Sequence, residues 1–182
     1  MQMKWFASLP NFISIGRLVL APIVIAMIVG RDWRAAFFVF IVAGLSDALD
    51  GWLAKTFRLE SELGALLDPV ADKTLIVCIY ITLAATGALP AWLAIMIVSR
   101  DVMIVGAVVI SWQLAHPLQA RPHLASKATT AAQLVLAAFI LGGEAYDIRS
   151  GVLEAALYGL VAALTVASAT VYLRLWVDHM RP

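Results

Sequence analysis

Six long apolar segments follow one another along the chain, at residues 11–29, 33–54, 63–86, 90–114, 124–141 and 152–177, and they leave few foldable alternatives. A helix needs about 20 mostly apolar residues to cross a hydrocarbon core about 30 Å thick, and each segment is near that length. Strands do not account for them, because the runs are too long and do not alternate, and in lipid only helices or closed barrels satisfy the backbone. The connections at 30–32, 55–62, 87–89, 115–123 and 142–151 are too short to separate a pair of domains. The expected fold is therefore an all-α membrane protein, a single six-transmembrane-helix bundle over residues 1–182. Composition agrees, with 63% hydrophobic and 14% charged residues among 182 and a mean hydropathy of +0.92.

Orientation follows from charge and aromatic residues. Trp5, Trp33, Trp52, Trp92, Trp112 and Trp176 all fall near an expected helix end, where an interfacial aromatic belt places them. With six spans, one side carries Lys4, Lys55, Arg58, Arg121, Lys127, Arg174 and Arg181, and the other only Arg31, Arg34 and Arg149. The excess predicts both termini in the cytoplasm. Lys4 before an apolar stretch resembles a secretory signal, yet Asn11, Ser14 and Arg17 interrupt that stretch and further segments follow, so a retained helix is expected. Residues 1–10, with Lys4, Trp5 and Phe6, suit a short helix at the headgroups. The absence of an Arg- and Ser-rich transit segment favours a bacterial inner membrane. The single cysteine, Cys78, excludes an internal disulfide framework and reads as a small core residue. A net charge of +1 excludes a strongly basic nucleic-acid binder.

Ionisable residues within apolar segments are costly, on the order of 2.5 to 3.5 kcal/mol each, and call for a reason. Asp47 and Asp50 lie three apart near the end of the second segment; Asp68 and Asp72 lie four apart early in the third. Each pair shares a helix face. A short connection makes the two helices adjacent and antiparallel, so that four carboxylates converge toward the cytoplasmic side. Carboxylates so close would repel and take up protons unless cations were present. Hard oxygen ligands suit magnesium, manganese or calcium, and no Cys/His grouping exists for zinc. Gly51 and Gly64 flank the cluster and remove bulk where a ligand or backbone must come close. A plainer reading has Asp47 and Asp50 capping a helix end beside Lys55 and Arg58, but it does not account for four aspartates and two glycines.

The pattern Asp47-x-x-Asp50-Gly51-x-x-Ala54-Lys55, then eight residues, then Gly64-x-x-x-Asp68-x-x-x-Asp72, closely resembles the signature of the CDP-alcohol phosphatidyltransferase family. Lys55 stands where that family usually has arginine, keeping the charge and losing the planar two-pronged donor. Leu9-Pro10-Asn11-x-x-Ser14-x-x-Arg17 with Pro22 is similar to the family's first helix. Residues Leu67 to Lys73, Ser99-Arg100-Asp101-Val102-Met103 and Ser126-Lys127-x-x-Thr130-x-x-Gln133 look most like its mitochondrial-type cardiolipin synthase branch, with Thr129 or Thr130 in the threonine position. Phosphatidylglycerophosphate synthases share the aspartate motif and more often have glutamate after the fourth-helix arginine.

The resemblance implies attack by an acceptor hydroxyl on the lipid-side phosphorus of CDP-diacylglycerol, with CMP leaving. It implies Mg2+ or Mn2+, as two ions, on Asp47, Asp50, Asp68 and Asp72, with Asp72 as general base. Gly51, Ala54, Lys55, Gly64, Asn11 and Ser14 would meet the CDP-lipid. The acceptor would be phosphatidylglycerol or glycerol 3-phosphate, and a homodimer in a lipid membrane is implied. Direct transfer is expected, since no serine, cysteine or histidine stands in a nucleophile-and-base arrangement, and none of His116, His123 and His179 begins an H-x-K motif. Arg17, Arg100, Arg121 and Lys127 are the expected cradle for an acceptor phosphate. Plainer roles stand beside these. Arg100 would pair with Asp101, although adjacent helical residues point apart; Lys127 would reach for the membrane surface; and Lys73 would neutralise the aspartates. A cation transporter would also place carboxylates within the membrane, but it predicts broken helices around a midplane site.

Overall fold

The computed structural model describes residue 16 and residues 19–57, 62–113, 124–148 and 150–180; for 47–57, 62–72, 108–110, 112–113, 124–125 and 178–180 it describes the helical backbone alone. Among the described residues the chain is all-helical. The elements are α1 (Val19–Val29), α2 (Trp33–Phe57), α3 (Glu62–Ala85), α4 (Ala91–Gln113), α5 (Leu124–Tyr146) and α6 (Gly151–Met180).

Each helix is apolar on most of its circumference rather than along one stripe, the pattern of helices with no watery face. The buried positions nevertheless keep helical spacing: Val24 and Ile28 in α1, Ala36, Phe40 and Ala43 in α2, Leu75, Ile76, Ile79, Tyr80 and Leu83 in α3, and Leu93 and Ile97 in α4. Leu136, Ala137, Ile140 and Leu141 of α5 meet Val161 of α6 in the same core. α5 is central, packing on α2, α3 and α6, while α4 packs on α3 and α6. The exterior is as apolar as the interior: Val152, Leu153, Leu160, Val166 and Leu173 of α6 and Ile95, Val102 and Val105 of α4 are exposed. An apolar exterior of this extent is foreign to a protein surrounded by water.

By length and composition, Ser126–Tyr146 and Gly151–Val177 suffice to cross a membrane. Val19–Val29, Trp33–Ser46 and Lys73–Ala85 are shorter apolar helices.

Three tight connections lie at one end of the bundle, and all use one device. Arg31, Gly87 and Asp147 have positive φ of 59°, 80° and 55°. The following residue then donates back to the helix it has left: Asp32 N to Met27 O at 2.9 Å, Ala88 N to Leu83 O at 2.9 Å, and Ile148 N to Gly143 O at 3.0 Å. This is the six-to-one bond of a Schellman end, which satisfies carbonyls that lipid could not. Asp32 then caps α2, its Oδ1 accepting from Ala35 N at 3.2 Å. The expected end of the fifth segment at residue 141 is corrected to Tyr146. Gly142 does not stop the helix: a Cβ there would lie 3.2 Å from the Phe37 ring, so the glycine admits α2 against α5.

If lipid covers the exterior, truncations inside and outside the bundle must differ. Leu136→Ala, at a fully buried site, should cost about 2 to 5 kcal/mol. Leu160→Ala, on the exposed face of α6, should stay within about 0.5 kcal/mol. Thermal unfolding of both variants in detergent measures the contrast.

Candidate active site

Two groups of residues make up the candidate site, and the structure describes them to different depths. Asp47, Asp50, Gly51, Ala54 and Lys55 fall on α2, and Gly64, Asp68 and Asp72 on α3, all within continuous helix. The helical spacing expected of both aspartate pairs is therefore present in the backbone. Their side chains, and with them the convergence of the four carboxylates, lie outside the described residues. So do Asn11, Ser14, Arg17 and Arg121. α2 and α3 share no contact among the described residues, and the turns expected to meet are the ones whose side chains are not described. Among the described residues there is no group of three or more Asp, Glu, His or Cys able to hold a metal.

The second group begins one residue after Asp72. Lys73 Nζ donates to Asp101 Oδ1 on α4 at 3.0 Å, and the same oxygen accepts from Arg100 Nη1 at 2.6 Å. Lys73 therefore does have a carboxylate partner, but on α4. The expectation that Arg100 and Asp101 point apart is corrected too. Cβ directions do diverge for neighbours on a helix, yet the arginine side chain is long enough to return its guanidinium to the adjacent carboxylate. Two cations share one carboxylate, which leaves the cluster with an excess of positive charge. Burial is deep, with Arg100 2% and Asp101 5% exposed.

Arg100 is held on every side. Its Nη2 donates to Ser126 Oγ on α5 at 2.9 Å and to Ser168 Oγ on α6. The guanidinium carbon lies 5.8 Å from the centroid of the Tyr172 ring, within cation–π range. One nitrogen is left without a bond: Arg100 Nε is buried and has no hydrogen-bond partner among the described residues. More than nine in ten buried polar groups are paired, so an orphaned donor on a buried cation marks a place where an anion or another acceptor fits. Lys127, next to Ser126, is exposed.

A polar seam continues this cluster between α5 and α6. Ser126, Thr129 and Gln133 occupy one face of α5, and Ser168 and Thr165 face them from the antiparallel α6. Thr129 Oγ1 donates to Leu164 O at 3.1 Å, which gives Thr129 rather than Thr130 the buried position. Gln133 O accepts from Tyr80 Oη at 2.8 Å. Sequence reasoning passed over Ser168 and Tyr172. Their signal was available as Thr165, Ser168 and Tyr172, polar residues at helical spacing in an otherwise apolar segment.

Comparison with known proteins connects both groups to one ancestry. The sequence profile of CDP-alcohol phosphatidyltransferases matches residues 7–173, a span that takes in the aspartate motif, the Lys73–Asp101–Arg100 cluster and the contributing turns of α6. The chain belongs to the CDP-alcohol phosphatidyltransferase family. It is 35% identical over 181 residues to the CMP-forming cardiolipin synthase of Rattus norvegicus, covering 91% of this chain and 60% of the relative. The cardiolipin synthase of Homo sapiens is 34% identical with the same coverages. The chloroplastic CDP-diacylglycerol–glycerol-3-phosphate 3-phosphatidyltransferase 1 of Oryza sativa subsp. japonica is 35% identical over 185 residues, 92% of this chain and 56% of the relative. The chain thus spans about 60% of the length of the rat and human relatives.

The shared carboxylate makes a checkable claim. Asp101→Ala leaves the enclosed Arg100 without its counter-ion and should cost about 3 to 5 kcal/mol. Lys73→Met removes a cation whose side chain is 35% exposed and should cost no more than about 1 kcal/mol. Unfolding in detergent ranks the two; equal losses would contradict the cluster's geometry.

Proposed function

We propose that the chain transfers the phosphatidyl group of CDP-diacylglycerol to a hydroxyl of phosphatidylglycerol, forming cardiolipin and CMP. The observation that carries this reading is the buried cluster whose excess cation, Arg100, keeps a free donor one helix away from the turn bearing Asp72. An aspartate-rich turn beside an anion-seeking arginine suits an alcohol that carries its own phosphate. Rat and human relatives bear the cardiolipin synthase name, and Asp101 after Arg100 points the same way. The rice relative supports glycerol 3-phosphate as the second reading. Membership of a transferase family favours either over cation transport.

The donor set, four carboxylates in pairs on continuous helices, suits two hard divalent ions. Asp47, Asp50, Asp68 and Asp72 would hold Mg2+ or Mn2+, which would supply charge neutralisation for the pyrophosphate and the departing CMP. Gly51, Ala54 and Gly64 leave room for the nucleotide, Lys55 pairs with its phosphates, and Asn11 and Ser14 would complete the CDP-lipid site. Asp72 takes the proton of the acceptor hydroxyl as its oxygen bonds to the lipid-side phosphorus and the bond to CMP breaks. Arg17, Arg100, Arg121 and Lys127 hold the acceptor's phosphate, Arg100 through Nε. The six helices would all span the membrane, with termini and active site on the cytoplasmic side of a bacterial inner membrane. Exposed apolar faces leave room for a homodimer.

Purified protein with CDP-diacylglycerol, manganese or magnesium, and each acceptor in turn should release CMP with phosphatidylglycerol and lose that activity on chelation. Asp72→Asn should lower kcat by at least about a hundredfold with unchanged unfolding. Exclusive use of glycerol 3-phosphate would replace the first reading by the second, and CMP release with neither acceptor would end both.

A further inference from the structure

We propose that Ser168, on α6, is a positioning residue that aims Arg100 at the acceptor's phosphate. The inference rests on the reading that Arg100 meets that phosphate, and it gives the last helix a role in the reaction. A guanidinium is planar, so fixing its two terminal nitrogens fixes the line along which Nε–H points. Three partners on three helices do so here: Asp101 at Nη1, and Ser126 and Ser168 at Nη2. Asp101 sits on the arginine's own helix and Ser126 opens α5, so Ser168 supplies the hydrogen bond from the guanidinium to α6. Ser168 is fully buried, and its hydroxyl acts across 68 positions of sequence. The ring of Tyr172, one turn further on, lies against the same guanidinium. With both terminal nitrogens bonded to protein oxygens, Nε is left buried and without a partner among the described residues. An arginine serving only to tie helices together would gain by satisfying that donor as well; one held for a ligand keeps it open.

Steady-state kinetics on the full chain, with CDP-diacylglycerol and phosphatidylglycerol varied separately, tests the assignment. Ser168→Ala should raise KM for phosphatidylglycerol roughly tenfold, the worth of one hydrogen bond to a charged group, with KM for CDP-diacylglycerol and the unfolding temperature little changed. Ser168→Thr, which keeps the hydroxyl, should restore the acceptor KM. Thr165→Val, one turn away and equally buried, should leave it alone. If Ser168→Ala shifts both KM values together, or lowers only stability, Ser168 is a helix tie and the proposal falls. Arg100→Gln separates the two levels. A raised acceptor KM there with no effect of Ser168→Ala rejects the positioning role alone. An unchanged acceptor KM in Arg100→Gln rejects the phosphate reading, and the positioning role with it.

Discussion

The Asp101 carboxylate and the Arg100 guanidinium it holds join four helices of this bundle. Asp101 Oδ1 accepts from Lys73 on α3 and from Arg100 on its own helix, and through Arg100 reaches Ser126 on α5 and Ser168 on α6. Four helices are thus linked at one buried point. Apolar contacts cannot do this in lipid, where tails compete with leucine on equal terms and directional bonds decide which helices meet and in what register. Isolated, neither charge would be tolerated at that depth; together, with two hydroxyls and an aromatic face, most of their bonding capacity is met.

The rest of the bundle is arranged so that few other polar groups need such treatment. Helix interiors satisfy themselves, and at the Arg31, Gly87 and Asp147 turns the chain folds its own amides back onto the last carbonyls. Threonines do likewise: Thr82 donates to Cys78 O at 2.7 Å and Thr86 to Thr82 O at 2.9 Å. Side-chain bonds between helices include those of Arg100 to Ser126 and Ser168 and of Thr129 to Leu164 O along the seam, with Arg34 Nε to Ala145 O at 3.2 Å and Trp176 Nε1 to Ser111 Oγ at 3.0 Å elsewhere. Specificity of packing comes from that seam and from Gly142 against Phe37, while apolar area alone would leave α6 free to slide.

Much of the helical frame was legible in the sequence because long apolar runs and the breaks between them are one-dimensional quantities. Helix existence, the short turns after α1 and α3, and the placement of Trp33, Trp92 and Trp112 at helix ends all follow from local pattern. The longer α5 did not, because Gly142 looks like a stop signal until Phe37 is seen beside it. The Arg100–Asp101 pair was expected only as the plainer role of Arg100, since helix geometry speaks of Cβ directions while the bond is made by the far end of a long side chain. Ser168 was hidden for another reason. A serine in an apolar segment commonly bonds its own helix, as Ser111 does to Ala107 O at 2.8 Å, and only tertiary packing shows that Ser168 reaches away.

The two halves of the proposed chemistry meet at consecutive residues of α3. Asp72 belongs to the aspartate motif, and Lys73 is bound to the Asp101 cluster. Successive residues on a helix point about 100° apart, so one turn can present a carboxylate to one neighbour and an ammonium to another. A shift of α3 relative to α4 would disturb both at once, and the Lys73–Asp101 bond opposes such a shift. This gives the half-buried Lys73–Asp101 pair a use that an apolar contact would not supply: it holds the turn that carries Asp72 in register with the arginine proposed to receive the acceptor.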